Sequence, residues 1–225
     1  MKKLILDIYQ VNELQKEKKE NAISANCEII VENNYWWYEH VYHDFEELMK
    51  YVGVETETFF FNGFGQQGEG SAFESEITNA YQFIKKVQNK EWIKYAPDLN
   101  INVPKLPIET KTLNMIKNGT LICEWKTKSS NRSNYLDFHT DYCLNKKDDY
   151  IDRKSNLMKE IIKLETWMEN IMNQFNDYLF KMLADEYYYL ITDRVVESYC
   201  IENDLFFAQN GERINQEWIE IGKVI

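Results

Sequence analysis

Leu121-Ile122-Cys123-Glu124-Trp125-Lys126-Thr127-Lys128, the polar run Ser129–Ser133 and the alternating stretch from Tyr135 to Leu144 form the segment from which the architecture follows. β-favouring residues flank a polar turn, which predicts an antiparallel hairpin. In its second strand Leu136, Phe138, Tyr142 and Leu144 share one face, and Asp137, His139, Asp141 and Cys143 share the other. Apolar residues then recur at Leu157, Ile161, Leu164, Met168, Ile171, Phe175, Tyr178 and Met182, in alternating steps of four and three. That stripe predicts one long amphipathic helix from about residue 153 to 191, roughly 60 Å at about 1.5 Å per residue. Its heptad-like spacing also reads as a coiled-coil seam, through which a homodimer would pair over 157–182.

Working outward from there, Leu4–Tyr9 reads as a short strand, and Asn12 as the cap of a helix running to about Ile30. Tyr35–Tyr51 carries Trp37, Val41, Phe45 and Leu48 at helical spacing and stops at Gly53. Glu55–Phe61 and Ser71–Ser75 predict two strands around a glycine cluster, and helices follow at 77–88 and 108–118. Thr192-Asp193 predicts the start of a helix to Glu202, and Asn210-Gly211 a closing turn after Leu205–Ala208. Helices and strands mix without strict βαβα alternation. The expected class is α+β, a small antiparallel sheet packed with several helices including the long C-terminal one. We expect a single domain over 1–225, with any lobe boundary in the window 97–107 that holds all three prolines.

Composition narrows the function. The 225 residues hold 37 acidic and 26 basic side chains, a net charge of −11. Direct binding to duplex DNA needs local positive charge, so that class is not expected. No apolar run approaches the roughly 18–20 residues of a membrane helix, and the first residues do not read as a signal peptide. The four cysteines are scattered, as reduced thiols of a cytoplasmic protein would be. Between residues 32 and 57, seven acids (Glu32, Glu39, Asp44, Glu46, Glu47, Glu55, Glu57) face one base, Lys50. From Asp185 onward nine acids face three bases. Beside Trp36 and Trp37, the residues Glu39, Asp44, Glu46 and Glu47 make an acidic, aromatic-rich candidate surface for a basic protein partner.

Other constellations are weaker. His40 and His43 lie three apart beside Asp44, but HExxH is absent, and neither a metal nor a cofactor is expected. His139 and Cys143 are the only candidates for a hydrolase, and no cysteine-protease signature surrounds them. Gly63, Gly65 and Gly68 spell GxGxxG by letter, without the P-loop lysine. A helix N-terminus should follow such a loop to hold an anion; instead Glu69-Gly70-Ser71 continues acidic and extended.

Three segments carry a resemblance: Tyr9-Gln10-Val11-Asn12-Glu13-Leu14, Tyr35-Trp36-Trp37-Tyr38-Glu39-His40-Val41-Tyr42-His43-Asp44, and Phe61-Asn62-Gly63-Phe64-Gly65-Gln66-Gln67-Gly68-Glu69-Gly70-Ser71-Ala72-Phe73. They resemble a widespread phage protein family with the pattern YDEL…DYEWWDSVYEDA…FSGFWSQGDGASF. Leu183–Asp193, Asn203 and the Phe-rich end with Gly211 are similar as well. The likeness covers the first 75 residues and roughly the last 45. The chain departs from the pattern at Asn62, Gly65, Gln66 and Glu69. The resemblance implies a phage or prophage accessory protein, a class rich in inhibitors of host defence. The expected function is therefore a non-enzymatic inhibitor of a bacterial defence system. It resembles an anti-CRISPR that binds an RNA-guided nuclease effector, with or without its guide RNA, and blocks guide or target nucleic acid. The alternative is a sponge that sequesters a nucleotide immune signal through loop 63–70, with Gly63, Phe64, Gln67, Gly68, Glu69 and Gly70 as the binding residues.

Overall fold

The computed structural model describes residues 7–65, 68–129, 136–145, 151–152 and 154–215. In chain order the elements are β1 (Tyr9–Gln10), α1 (Lys16–Ala25), α2 (Ile29–Asn33), α3 (Glu39–Val52), β2 (Glu55–Phe61), β3 (Ser71–Ile77), α4 (Ala80–Gln88), α5 (Thr110–Lys117), β4 (Leu121–Ser129), β5 (Leu136–Leu144), α6 (Asn156–Leu190), α7 (Asp193–Glu202) and β6 (Phe206–Phe207). Short 3-10 turns cover Val11–Glu13 and Glu91–Lys94. The class is α+β, with antiparallel pairing throughout both sheets. The chain divides into two compact units, Met1–Tyr38 with Ala184–Ile225 and Glu39–Leu183. The proline window 97–107 lies inside the second.

The second unit is built on a four-stranded sheet in the order β2-β3-β4-β5. The strand pairs of both expected hairpins, β2–β3 and β4–β5, are present; residues 130–135, which hold most of the second expected turn, lie outside the described residues. β5 alternates as expected, its even positions buried or half-buried and the described side chains at its odd positions exposed. Between Thr56↔Ser75 and Phe59↔Phe73 the register shifts, because β2 carries one extra residue there. The bulge re-aims β2 so that Phe59 comes against Phe45 (6.1 Å) and Phe73 (6.5 Å). α3 supplies Val41, Phe45, Leu48, Met49 and Val52 to this core at helical spacing. It ends where expected, at Gly53, whose φ of +91° suits a residue without Cβ.

α6 confirms the long helix and corrects its stripe. Ile161, Leu164, Met168, Ile171 and Phe175 are buried, but beyond them Leu179 and Leu183 take the inward positions in place of Tyr178 and Met182. A straight helix has about 3.6 residues per turn, so a strict seven-residue repeat drifts by about 20° per heptad and leaves the core-facing side. The stripe from Ile161 to Phe175 is covered within the single chain, which fills the face read as a pairing seam.

One buried polar pair ties α6 to the sheet. The Asn176 side-chain amide donates to the Ser71 carbonyl at 2.7 Å, and the Ser71 hydroxyl donates toward the Asn176 carbonyl and Oδ1, both at 3.2 Å. Asn176→Ala leaves the Ser71 carbonyl without its donor and opens a void. We expect it to lower stability by about 2–3 kcal/mol, read as an earlier urea midpoint at constant slope.

In the first unit, the single helix expected from residue 13 to 30 is broken. A 3-10 turn starts it, closed by the Gln10 N–H donating to Glu13 Oε2 at 2.8 Å. α1 then ends at Asn26, whose side chain donates to the Ala22 carbonyl at 2.8 Å while its own N–H turns to Ile23. The side chain has taken the acceptor that the next helical turn required, a local competition typical of asparagine. α2 therefore starts afresh at Ile29. The N-terminal strand is only Tyr9–Gln10, and it pairs with Phe206–Phe207; Leu4–Leu6 lie outside the described residues. Val11, Leu14, Ala22, Ile23, Ile29, Ile30, Val196, Cys200 and Phe207 form this unit's core. The Asn210-Gly211 turn is as expected, with the Ala208 N–H donating to the Glu212 carbonyl at 2.9 Å.

Candidate functional site

In the first unit, two short runs bring aromatic rings to the surface. Residues 35–38 were expected to be helical but form a turn, because Asn34 captures the chain: its Oδ1 accepts the Trp36 N–H and its carbonyl accepts the Trp37 N–H, both at 3.2 Å. The turn sends Trp37 inward, 7% exposed, and leaves Tyr35 and Trp36 outside at 78% and 64%. The second run is Tyr187-Tyr188-Tyr189 at the end of α6. Consecutive helical residues lie about 100° apart, so three in a row cannot all face one core. Tyr187 is half-buried and Leu190 packs on the core, while Tyr188 and Tyr189 stay 59% exposed.

Ring contacts join the two runs. Trp37 lies 5.5 Å from Tyr38, edge-on, and 6.0 Å from Tyr187, which in turn meets Tyr188 edge-on at 5.5 Å. The Tyr187 hydroxyl donates to Glu28 Oε1 at 2.6 Å. That bond to a carboxylate, followed by burial, pushes the Tyr187 phenol up to about 12. It therefore stays a donor at neutral pH and fixes the ring on which the patch stands. Tyr38, Trp37, Tyr187 and Tyr188 thus form one run of ring contacts, and the exposed rings of Tyr35, Trp36 and Tyr189 are their neighbours in sequence. Such a patch is uncommon on a surface with no partner.

The other residues expected to touch a partner divide between the units. Trp36 and Trp37 belong to the first, Trp36 exposed and Trp37 buried. Glu39, Asp44, Glu46 and Glu47 lie on α3 of the second. Lys50 donates to Glu46 and Glu47 at 2.8 and 3.1 Å, and these bonds raise its pKa above the ordinary lysine value. Burial, then the charges of Asp44 and Glu47, push the Tyr95 phenol up. α3 thus carries a negative potential felt by its neighbours. Glu39 and Glu46 also line a shallow depression of ≈ 510 Å³ with His40, Tyr42, His43 and Phe59. Among the described residues, no three His, Cys, Asp or Glu groups are arranged to hold a metal ion.

The glycine loop closes on itself. The Asn62 N–H donates to the Gly70 carbonyl at 3.1 Å, and the Asn62 side chain to the Gly68 carbonyl at 3.0 Å. Phe64 packs between Phe61 (4.9 Å) and Phe180 (5.4 Å). The Gly65 N–H donates to the Glu69 carboxylate at 2.5 Å. An anion of the protein's own already occupies the donor a phosphate would need, and its charge repels another. Gln67 lies outside the described residues.

On β5, His139 and Cys143 are exposed, four positions apart, roughly 13 Å at about 3.3 Å per residue. That separation excludes direct nucleophile–base contact within the strand. The buried thiol of Cys123 is pushed up to about 12, chiefly by burial, which holds it in the unreactive protonated form.

Sequence reasoning singled out Trp36 but did not assign Tyr35, Tyr188 and Tyr189 to the site. The legible signal was the Tyr187–Tyr189 run on a helix whose inward positions were already filled. Phe59 was missed for another reason: only the bulge brings it beside α3.

A family described as a domain of unknown function (DUF8835) matches residues 37–193, and the chain belongs to it. No curated protein and no solved structure matches the chain.

Proposed function

We propose that this protein works by binding, without chemistry of its own, and that its partner is a basic macromolecular surface belonging to a bacterial defence system. The observation that carries this reading is the set of exposed rings in the first unit, Tyr35, Trp36, Tyr188 and Tyr189, beside the ring contacts of Trp37 with Tyr187. Tyr and Trp supply large contact area at low entropy cost and dominate the binding energy of protein interfaces. The net charge of −11 supports a cationic partner and fast electrostatic capture. A cationic channel that normally holds nucleic acid has both properties, and the resemblance to phage accessory proteins favours an RNA-guided nuclease as its owner. In that reading the protein is an anti-CRISPR that blocks guide or target entry. It acts in the host cytoplasm, in keeping with the lack of any membrane-crossing helix among the described residues.

The nucleotide-sponge alternative loses support from the Glu69 carboxylate in the glycine loop. Stopped-flow association with an RNA-guided nuclease effector tests the electrostatic part. Reversing Asp44, Glu46 and Glu47 to lysine should slow association by about tenfold at low salt and much less at 0.5 M, where screening is short-ranged. An association rate unchanged by the reversal and by salt would remove charge from the account.

A further inference from the structure

The depression between α3 and β2 has a chemistry more specific than its acidity. Tyr42 and Phe59 stack almost parallel, with centroids 4.6 Å apart and planes at 12°, and both rings are only half-buried. Glu39, Tyr42, His43 and Glu46 follow at spacings of three, one and three on α3, so they share one helical face. Glu39 and Glu46 therefore bracket the rings, and the imidazoles of His40 and His43 complete the lining. An aromatic floor with two carboxylates at its rim attracts a cation through the ring faces and the charges together. Glu46 is shared with the Lys50 ammonium at 2.8 Å, so the charge that meets an incoming cation is mainly that of Glu39.

We propose that this depression is a recognition pocket for a single arginine side chain. Arginine fits better than lysine because the guanidinium is planar. It lies flat on an aromatic face while its edge N–H groups fork to a carboxylate. A compact, strongly hydrated ammonium makes only the charge contact. The pocket deepens the binding function proposed above: it rests on that reading only for the bearer of the arginine, an exposed residue of the basic partner.

The test is an NMR titration of the full chain with N-acetyl-arginine methylamide, followed on the ring resonances of His40, His43, Tyr42 and Phe59. N-acetyl-citrulline methylamide, the uncharged isostere, and N-acetyl-lysine methylamide are run in parallel. Saturable shifts at these four rings with the arginine compound are expected, at least fivefold weaker with the lysine compound and absent with citrulline. The pair Glu39→Gln and Glu46→Gln should weaken arginine binding at least tenfold. Phe59→Leu should erase the preference for arginine over lysine while leaving a weak cation response. Spectra of each variant that keep the dispersed resonances of Phe45 and Phe73 show that the core survives. Equal shifts with citrulline, no saturable shift, or unchanged affinity in the Glu39→Gln, Glu46→Gln protein would overturn the pocket. If the arginine compound binds as stated and a nuclease effector does not bind, the pocket stands and the reading of the partner fails.

Discussion

Replacing Trp36, Tyr188 and Tyr189 by alanine together should weaken partner binding by at least a hundredfold while moving the melting temperature by no more than a degree or two. The size follows from what these rings do at an interface. A buried aromatic anchor contributes about 2 kcal/mol or more when truncated, and two such losses already exceed a hundredfold at roughly 1.4 kcal/mol per decade. The small stability cost follows from exposure, since more than half of each ring already faces water. Trp37→Ala gives the opposite profile. Its ring is buried against Tyr38 and Tyr187, so removal should cost about 3 kcal/mol of stability and disturb the patch indirectly. Isothermal calorimetry against the effector, paired with thermal melts, separates the two. A triple variant that still binds at the parental affinity would mean that these rings are not the contact surface.

Gly211→Ala should be the most damaging methyl group that can be added to the first unit, at about 3 kcal/mol or more. Two independent effects add there. Gly211 has φ of +91°, a conformation that L side chains rarely adopt. A Cβ placed on it would also lie 2.7 Å from the Lys18 carbonyl oxygen, a backbone atom of α1 that cannot rotate away. The turn carrying Gly211 follows β6, which pairs with β1, so displacing it strains the Tyr9↔Phe207 register and the core around Phe207. Urea denaturation measures the loss. Gly65→Ala is the matching control: its φ of +72° is also positive, but the added methyl meets open space, so only the backbone strain of about 1–2 kcal/mol applies. Equal costs at the two glycines would show that the contact with Lys18 contributes nothing.

The contrast between those two glycines shows what a sequence can and cannot disclose. Gly53, Asn210-Gly211 and the alternation of β5 act within a few residues of themselves, and the sequence was legible there. The β2–β3 and β4–β5 strand pairs and the length of α6 were legible for the same reason, because hydrophobic period is local. The misreadings come from side chains that outcompete the period. Asn26 ends α1 by donating to Ala22, and Asn34 converts the expected helical start at Tyr35 into a turn. In α6 the period itself misled. A repeat of alternating threes and fours looked like a seam, yet a straight helix turns Tyr178 and Met182 away and brings Leu179 and Leu183 inward. The candidate surface was half legible. Trp36 stood out by composition, whereas the contact of its neighbour Trp37 with Tyr187 joins residues from distant parts of the chain, and no local pattern announces it. The pocket on α3 needed Phe59, placed only by a one-residue bulge in β2.

We propose that the aromatic surface of the first unit, in a chain of net charge −11, occupies a cationic nucleic-acid channel. This claim is tested most directly by measuring target-DNA binding of a panel of guide-loaded RNA-guided nucleases with increasing amounts of this protein. The account predicts that at least one effector loses target binding at a one-to-one ratio, and that the Trp36, Tyr188, Tyr189 triple alanine protein fails to cause that loss. Full target binding by every effector at saturating protein, or inhibition that survives the triple substitution, would contradict it.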